Sequence, residues 1–310
     1  MLIRPYRWYG GKIRMAHTIS FLIPKHTAYY EPFMGSAAVL LNHPISKLEV
    51  INDLDQDLVH FMTTLADKKK GKLLIEKLNE IWYDRWVFDE AKLHKRNNFN
   101  GLNEIDKAVQ IYVLITQSFN CTRKAFSKTA YKDTYAYRRD IQFYLTKVHE
   151  RLQNVRIRNM NGIDLLSKIA ENPNAFAFVD PPYRKELRAV GADKAYECEL
   201  PHNEQIRLLE TIQNAKCNIM LCGYRSESGI DLYDQYLLPK GWKCYKLAEV
   251  VKLCQRRKGH RDMAEEFIWV NYELPYHAKF VISMKEYSSL SEVKNDDKHG
   301  YNCTGVVANK

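Results

Sequence analysis

Residues 176–185, FAFVDPPYRK, are the first that suggest chemistry. Phe176 to Val179 are apolar and half aromatic, a composition suited to a buried strand. The run ends at Asp180, then at Pro181 and Pro182, which can neither continue a helix nor donate to a strand ladder. Tyr183 follows. A hydrogen-bond acceptor and a flat aromatic ring are therefore held on a stiff turn at a strand's carboxyl end. In an open α/β sheet that edge is where ligands bind. The plainer reading, a strand cap and a proline-rich turn, is not excluded by these residues alone.

Two further stretches carry comparable signals. In YYEPFMGSAAV (29–39) a strand-like run meets a tight turn at Gly35, and Ser36, Ala37 and Ala38 open a helix. Such a turn can bring a ligand against backbone N–H groups at a helix start. Asp53 closes the next strand-like run 18 residues after Gly35, near the spacing of about 20 residues expected of an acid that binds ribose hydroxyls. A calcium loop in DLDQDL is excluded, because Leu58 stands where the sharp turn needs glycine. In RWYGGK (7–12) two glycines and a lysine lie beside two aromatic residues. That could deliver a cation to a ligand carboxylate, or be a terminal loop with a solvated lysine.

Strands and helices must alternate to hold these turns in place. TAYYEPF and KLEVIND read as strands, each followed by a helix. From about Lys68 to His149 strand signals vanish, and KLLIEKLNEIW, DRWVFDEAKLHK, EIDKAVQIYVLITQSF and IQFYLTKVHERL show helical spacing. Alternation resumes with NVRIRN, AFAFVD and CNIMLCGY, and closes on KCYKLAEVVKL and EEFIWVNYEL around a basic loop, QRRKGHR at 255–261. The pattern predicts an α/β fold with a mostly parallel, Rossmann-like sheet and a helical insertion. Residues 1–62 and 150–275 would form the sheet domain and 63–149 the insertion. Residues 276–310 would be a polar tail.

The net charge of +10 and a pI near 9.1 over 310 residues favour a polyanionic partner. Seven cysteines, at 121, 198, 217, 222, 244, 254 and 303, form no C-x-x-C pair. They read as reduced thiols of a cytoplasmic protein and not as a zinc site. The first residues hold no apolar signal core, and no run approaches a membrane span, so no membrane partner is expected.

Taken in order, WYGGK, EPFMGSAAV with Asp53, and DPPY after a helical insertion resemble the DNA adenine-N6 methyltransferases of the Dam type, the D12 class. The resemblance covers roughly residues 5 to 275. It implies S-adenosylmethionine as cofactor, with no metal, no covalent nucleophile and no obligate protein partner. Trp8 and Lys12, with Tyr9 between them, would meet its amino-acid end. Glu31, Pro32, Phe33, Gly35 and Ser36 would wall the pocket, Asp53 would take the ribose, and Leu54 would lie against the adenine ring. Asn161 and Gly162, in MNG, would supply backbone contacts to that ring, although these side chains depart from the usual pattern. The exocyclic amine of a target adenine is a poor nucleophile, because its lone pair is delocalised. Asp180 and the Pro181 carbonyl would accept its N–H groups and draw that pair out of conjugation. Pro182 would stiffen the turn, and Tyr183 would stack on a base flipped from double-stranded DNA.

The insertion would recognise the target. Residues 120–139, NCTRKAFSKTAYKDTYAYRR, carry six basic residues and one acid among aromatics. Arg123, Lys124, Lys128, Lys132, Arg138 and Arg139 would meet DNA, with Arg123 reading a base. Neither the Asn-Gly hairpin nor the Asn-Val-Pro-Phe-Gly piece of GATC enzymes is evident. The target sequence therefore stays open, as do cytosine N4, RNA, and an inactive DNA-binding relative.

Overall fold

Apolar side chains alternate along the central strands, so each strand feeds two hydrophobic layers. The computed structural model describes residues 1–188, 196–226, 231–251, 263–278 and 286–287. Its strands are β1 (Ala28–Glu31), β2 (Leu48–Asp53), β3 (Arg156–Asn159), β4 (Ala175–Val179), β5 (Asn218–Tyr224), β6 (Lys243–Val251), β7 (Met263–Val270) and the two-residue β8 (Glu286–Tyr287). They form one sheet in the order β3-β2-β1-β4-β5-β7-β6-β8. The five strands from β3 to β5 are parallel, while β7 runs antiparallel to β5 and to β6. The expected mostly parallel α/β sheet with a helical insertion is thus the architecture found.

Period-2 alternation divides the core. Tyr29, Ile51, Phe176, Phe178, Met220 and Ile268 face one layer. Tyr30, Val50, Ala177, Val179, Leu221 and Trp269 face the other. The second layer is closed by α8 (Gly162–Ile169), α9 (His202–Ile212) and α10 (Leu232–Leu237). The first is closed by α1 (Ala16–Leu22), α2 (Ala38–Leu41) and the helices between β2 and β3.

Those helices are α3 (Gln56–Ala66), α4 (Lys70–Glu80), α5 (Arg85–Arg96), α6 (Glu104–Thr116) and α7 (Thr134–Leu152). Their starts follow capping chemistry: Asp55, Asp84, Asn103 and Asp133 each accept a backbone N–H of the first turn. Leu74, Phe88, Val113 and Leu145 belong to the same buried cluster as Tyr29 and Phe176, so helices and sheet share one core. Arg151 of α7 ties the two further, donating to both Glu49 carboxylate oxygens at 2.6 Å. The 255–261 loop and almost all of the 276–310 tail lie outside the described residues.

Candidate active site

The strand order reverses between β1 and β4, with β2 and β3 on one side and β5 on the other. At such a switch point the connections leave in opposite directions and open a crevice beyond the carboxyl ends of the strands. Three carboxylates stand at that edge. Glu31 ends β1, Asp53 ends β2, and Asp180 follows β4. They border a cleft of about 900 Å³, its open mouth included. Trp8, Tyr9, Lys12, Phe33, Gly35, Ser36, Leu54, Asn161, Gly162 and Pro182 also line it. Pro32, Pro181 and Tyr183 are buried and do not line it.

The turn after β1 is shaped by close approach. Gly35 has φ +46°, and a Cβ there would lie 2.6 Å from Nε1 of Trp8, so the indole can pack only on a glycine. Asp53 fastens the turn from β2: its Oδ2 accepts from Gly35 N and its Oδ1 from Asp55 N, both at 3.0 Å. Burial pushes the Asp53 carboxyl up to about 6. Each oxygen retains acceptor capacity after one backbone bond. Asn52, which the sequence reading passed over, is fully buried and donates to the carbonyls of Pro32 and Met160 at 2.9 Å. It also accepts from Met160 N, and so clamps the β1 and β3 turns together. Gly162 has no room for a Cβ, which would meet Pro32 O at 2.7 Å and the Phe33 ring at 2.8 Å.

Glu31 is buried, accepting from Tyr29 Oη at 2.8 Å and Leu40 N at 2.6 Å. Desolvation, reinforced by nearby Asp180, raises it to about 8. Lys12, 4% exposed, donates to Asp180 Oδ1 at 2.7 Å, to Oδ2 at 2.8 Å and to Gly10 O at 2.9 Å. Burial would lower its pKa, but Asp180 and then Glu266 outweigh that and raise it. The expected free cation in the pocket is instead locked on the acid of the DPPY turn.

The turn itself is braced from behind. Gln205 donates to Pro182 O at 3.0 Å, and Arg188 donates to Tyr183 O. Tyr183 is 6% exposed and donates its hydroxyl to Glu266, with its ring 4.7 Å from that of Tyr224. A base cannot stack on Tyr183 as it stands here, because protein already covers the ring. Glu266, beside Glu265 at the head of the apolar run Phe267–Val270 in β7, is a second residue that the sequence reading missed. A charge beside FIWV was its one signal. The segment Tyr196–Leu200 completes the cleft wall, and no motif marked it.

The basic stretch divides. Residues 117–127 double back as a small hairpin, with Phe119 N donating to Ala125 O at 2.8 Å and a bridge pairing Ser118 with Phe126. Arg123 is 5% exposed, forks onto both Asp55 oxygens and lies 5.9 Å from the Trp8 ring. That pair holds Asp55 below the usual carboxylate range even though burial acts the other way. Arg123 faces the protein and not the solvent, because the hairpin turns it inward. Arg138, half-buried, donates to the Ile81 and Glu80 carbonyls at the end of α4. Lys124, Lys128, Lys132 and Arg139 are exposed. Of the aromatics, Phe126, Tyr131 and Tyr137 pack with Tyr83, whereas Tyr135 is exposed.

Fold and site together define an α/β enzyme of the methyltransferase type. Residues 8–247 match the D12 class N6 adenine-specific DNA methyltransferases, and the chain belongs to that family. It is 24% identical over 284 residues to the Type II methyltransferase M1.LlaDCHI of Lactococcus lactis subsp. cremoris, covering 87% of this chain and 96% of that one. A DNA N-6-adenine-methyltransferase of Escherichia phage P1 is 24% identical over 213 residues. The match covers 68% of this chain but 28% of that longer protein. Among the described residues no helix is long and apolar enough to cross a membrane.

Proposed function

We propose that this chain transfers the methyl group of S-adenosylmethionine to adenine N6 in double-stranded DNA, on a base turned out of the duplex, in the cytoplasm. The observation that carries the reading is the trio Glu31, Asp53 and Asp180 at three neighbouring strand ends around one cleft. The donor set fits the cofactor. Asp53 is an acceptor for a ribose diol, Glu31 is an acceptor for an ammonium group, and Phe33, Leu54 and Phe178 are apolar surface for a purine. The glycines at 10, 11 and 35 let backbone approach it closely.

When bound, the cofactor supplies an electrophilic methyl on its sulfonium. The chain's part is to orient the amine and accept its hydrogens. Asp180 and the Pro181 carbonyl lie on a turn whose backbone Gln205 and Arg188 keep from relaxing, so the turn itself needs no reorganisation. Residues 63–149 serve as the recognition insertion, with Lys124, Lys128, Lys132 and Arg139 on the DNA side.

The test is incubation with labelled S-adenosylmethionine and unmethylated double-stranded DNA, followed by nucleoside analysis. N6-methyladenine is the expected product. Label in N4-methylcytosine, in RNA only, or in neither would overturn the assignment.

A further inference from the structure

The mechanism above leaves one difficulty. Lys12 bridges both oxygens of the carboxylate that the incoming amine must use, so the amine must compete with a full ammonium charge for their remaining lone pairs. An ammonium donates three hydrogen bonds, and Lys12 spends them on Asp180 twice and on Gly10 O once. Releasing one would be costly in a site this buried, unless another acceptor stood ready.

Glu266 stands ready. Its Oε1 is 3.5 Å from Lys12 Nζ, and the residue is 3% exposed. A shift of about 1 Å would complete a hydrogen bond. The acceptor is fixed on both sides. Its backbone pairs with Tyr224 in the β5–β7 ladder, and its side chain accepts the Tyr183 hydroxyl. The Tyr183 ring lies 4.9 Å from Lys12 Nζ and offers a π face throughout that shift. We infer that Glu266 is a positioning residue, the second acceptor onto which Lys12 moves so that Asp180 is freed for the entering amine. This rests on the reading of Asp180 given above. It differs from a simple anchoring role, in which Glu266 would only hold the Tyr183 hydroxyl.

The experiment is single-turnover methyl transfer from tritiated S-adenosylmethionine into unmethylated plasmid DNA, with cofactor affinity measured in parallel. Glu266→Gln keeps an oxygen for Tyr183 but loses the charge that attracts Lys12. Transfer should fall about tenfold or more while cofactor affinity stays within about threefold. Tyr183→Phe removes the hydroxyl and spares the charge, so it should lose less. Wild-type transfer in Glu266→Gln, or an equal or greater loss in Tyr183→Phe, would overturn the proposal. If Glu266→Gln does not fold, Glu266→Asp draws the carboxylate back from Lys12. It should still cost about fivefold in transfer, and wild-type transfer there would overturn the proposal too. Asp180→Ala runs alongside. Transfer retained in that variant removes the reading of Asp180 and this proposal with it. Loss there together with wild-type transfer in Glu266→Gln removes the proposal alone.

Discussion

The three acids Glu31, Asp53 and Asp180 at the sheet's carboxyl edge face one cleft, whereas the polar side chains of residues 117–139 face inward and outward by turns. At the edge, each acid ends or follows a parallel strand, and ladder register fixes where it points. The hairpin has no such guide. Asn120, Cys121 and Arg123 take positive φ of 51°, 58° and 62°, and each such residue redirects the next side chain. Arg123 is sent into the protein while Lys124 is left outside. Charge type is thus a sound guide to where a side chain lies at these strand ends and a poor one inside an irregular segment.

The largest expected effect tests that contrast at Arg123. Arg123→Ala strips the buried partner from Asp55, and breaking such a pair costs about 3–5 kcal/mol. Arg123→Lys should recover only part, since one ammonium cannot fork across two oxygens. Urea unfolding of both variants checks this. Unchanged stability with lost binding at the cognate site alone would return Arg123 to base reading.

Next comes the edge itself. Asp180→Ala should lower methyl transfer by about 10²–10³-fold, as loss of one pre-aligned polar group does elsewhere. Asp180→Asn should fare little better, because shape survives and charge does not. Turnover near wild type in either variant would remove the role given to this carboxylate.

How much of this was legible follows the same divide. The strands β1 and β4 could be read from their apolar runs and the turn residues after them, in EPFMG and AFAFVD. The helices of the insertion were legible from spacing. Asn52 and Glu266 were not, because a buried polar residue within a strand shows its use only when its neighbours in space are known. Asn52 spans turns from two other strands, and Glu266 reaches Tyr183 from 83 residues away. The burial of Tyr183 was hidden for the same reason, since the residues covering it, Tyr224 and Glu266, lie on distant strands. The run of basic residues in 120–139 suggested a single surface. Arg123 and Arg138 instead serve as internal braces, and composition cannot separate a brace from a contact.

A smaller effect is expected at Asp53. Hydrogen bonds to a charged group are worth about 1.5–3 kcal/mol, so Asp53→Ala should weaken S-adenosylmethionine binding about ten- to a hundredfold. The charged form is the acceptor, and burial sets the carboxyl at about 6. The part of the affinity that Asp53 supplies should therefore hold above that pH and fall as the pH drops through it, and Asp53→Asn should remove that part of the pH dependence. Calorimetry between pH 5 and 8 tests both statements, and unchanged binding would place the ribose elsewhere.

The smallest effects belong to the exposed cations, and they sharpen the contrast from the other side. Lys128, Lys132 and Arg139 are exposed. If they track phosphates, log affinity for DNA should fall with log salt by about 0.9 per phosphate neutralised. Replacing one with alanine should reduce the slope by about one and weaken all duplexes alike, since a phosphate contact carries no sequence information. Arg138, held by the α4 carbonyls, should leave the slope unchanged while lowering stability. The measurement is a salt titration of each variant on several duplexes. A slope lost at Arg138 would mean that it leaves its carbonyls to meet DNA. Slopes unaltered at all three exposed positions would move the DNA surface off this segment.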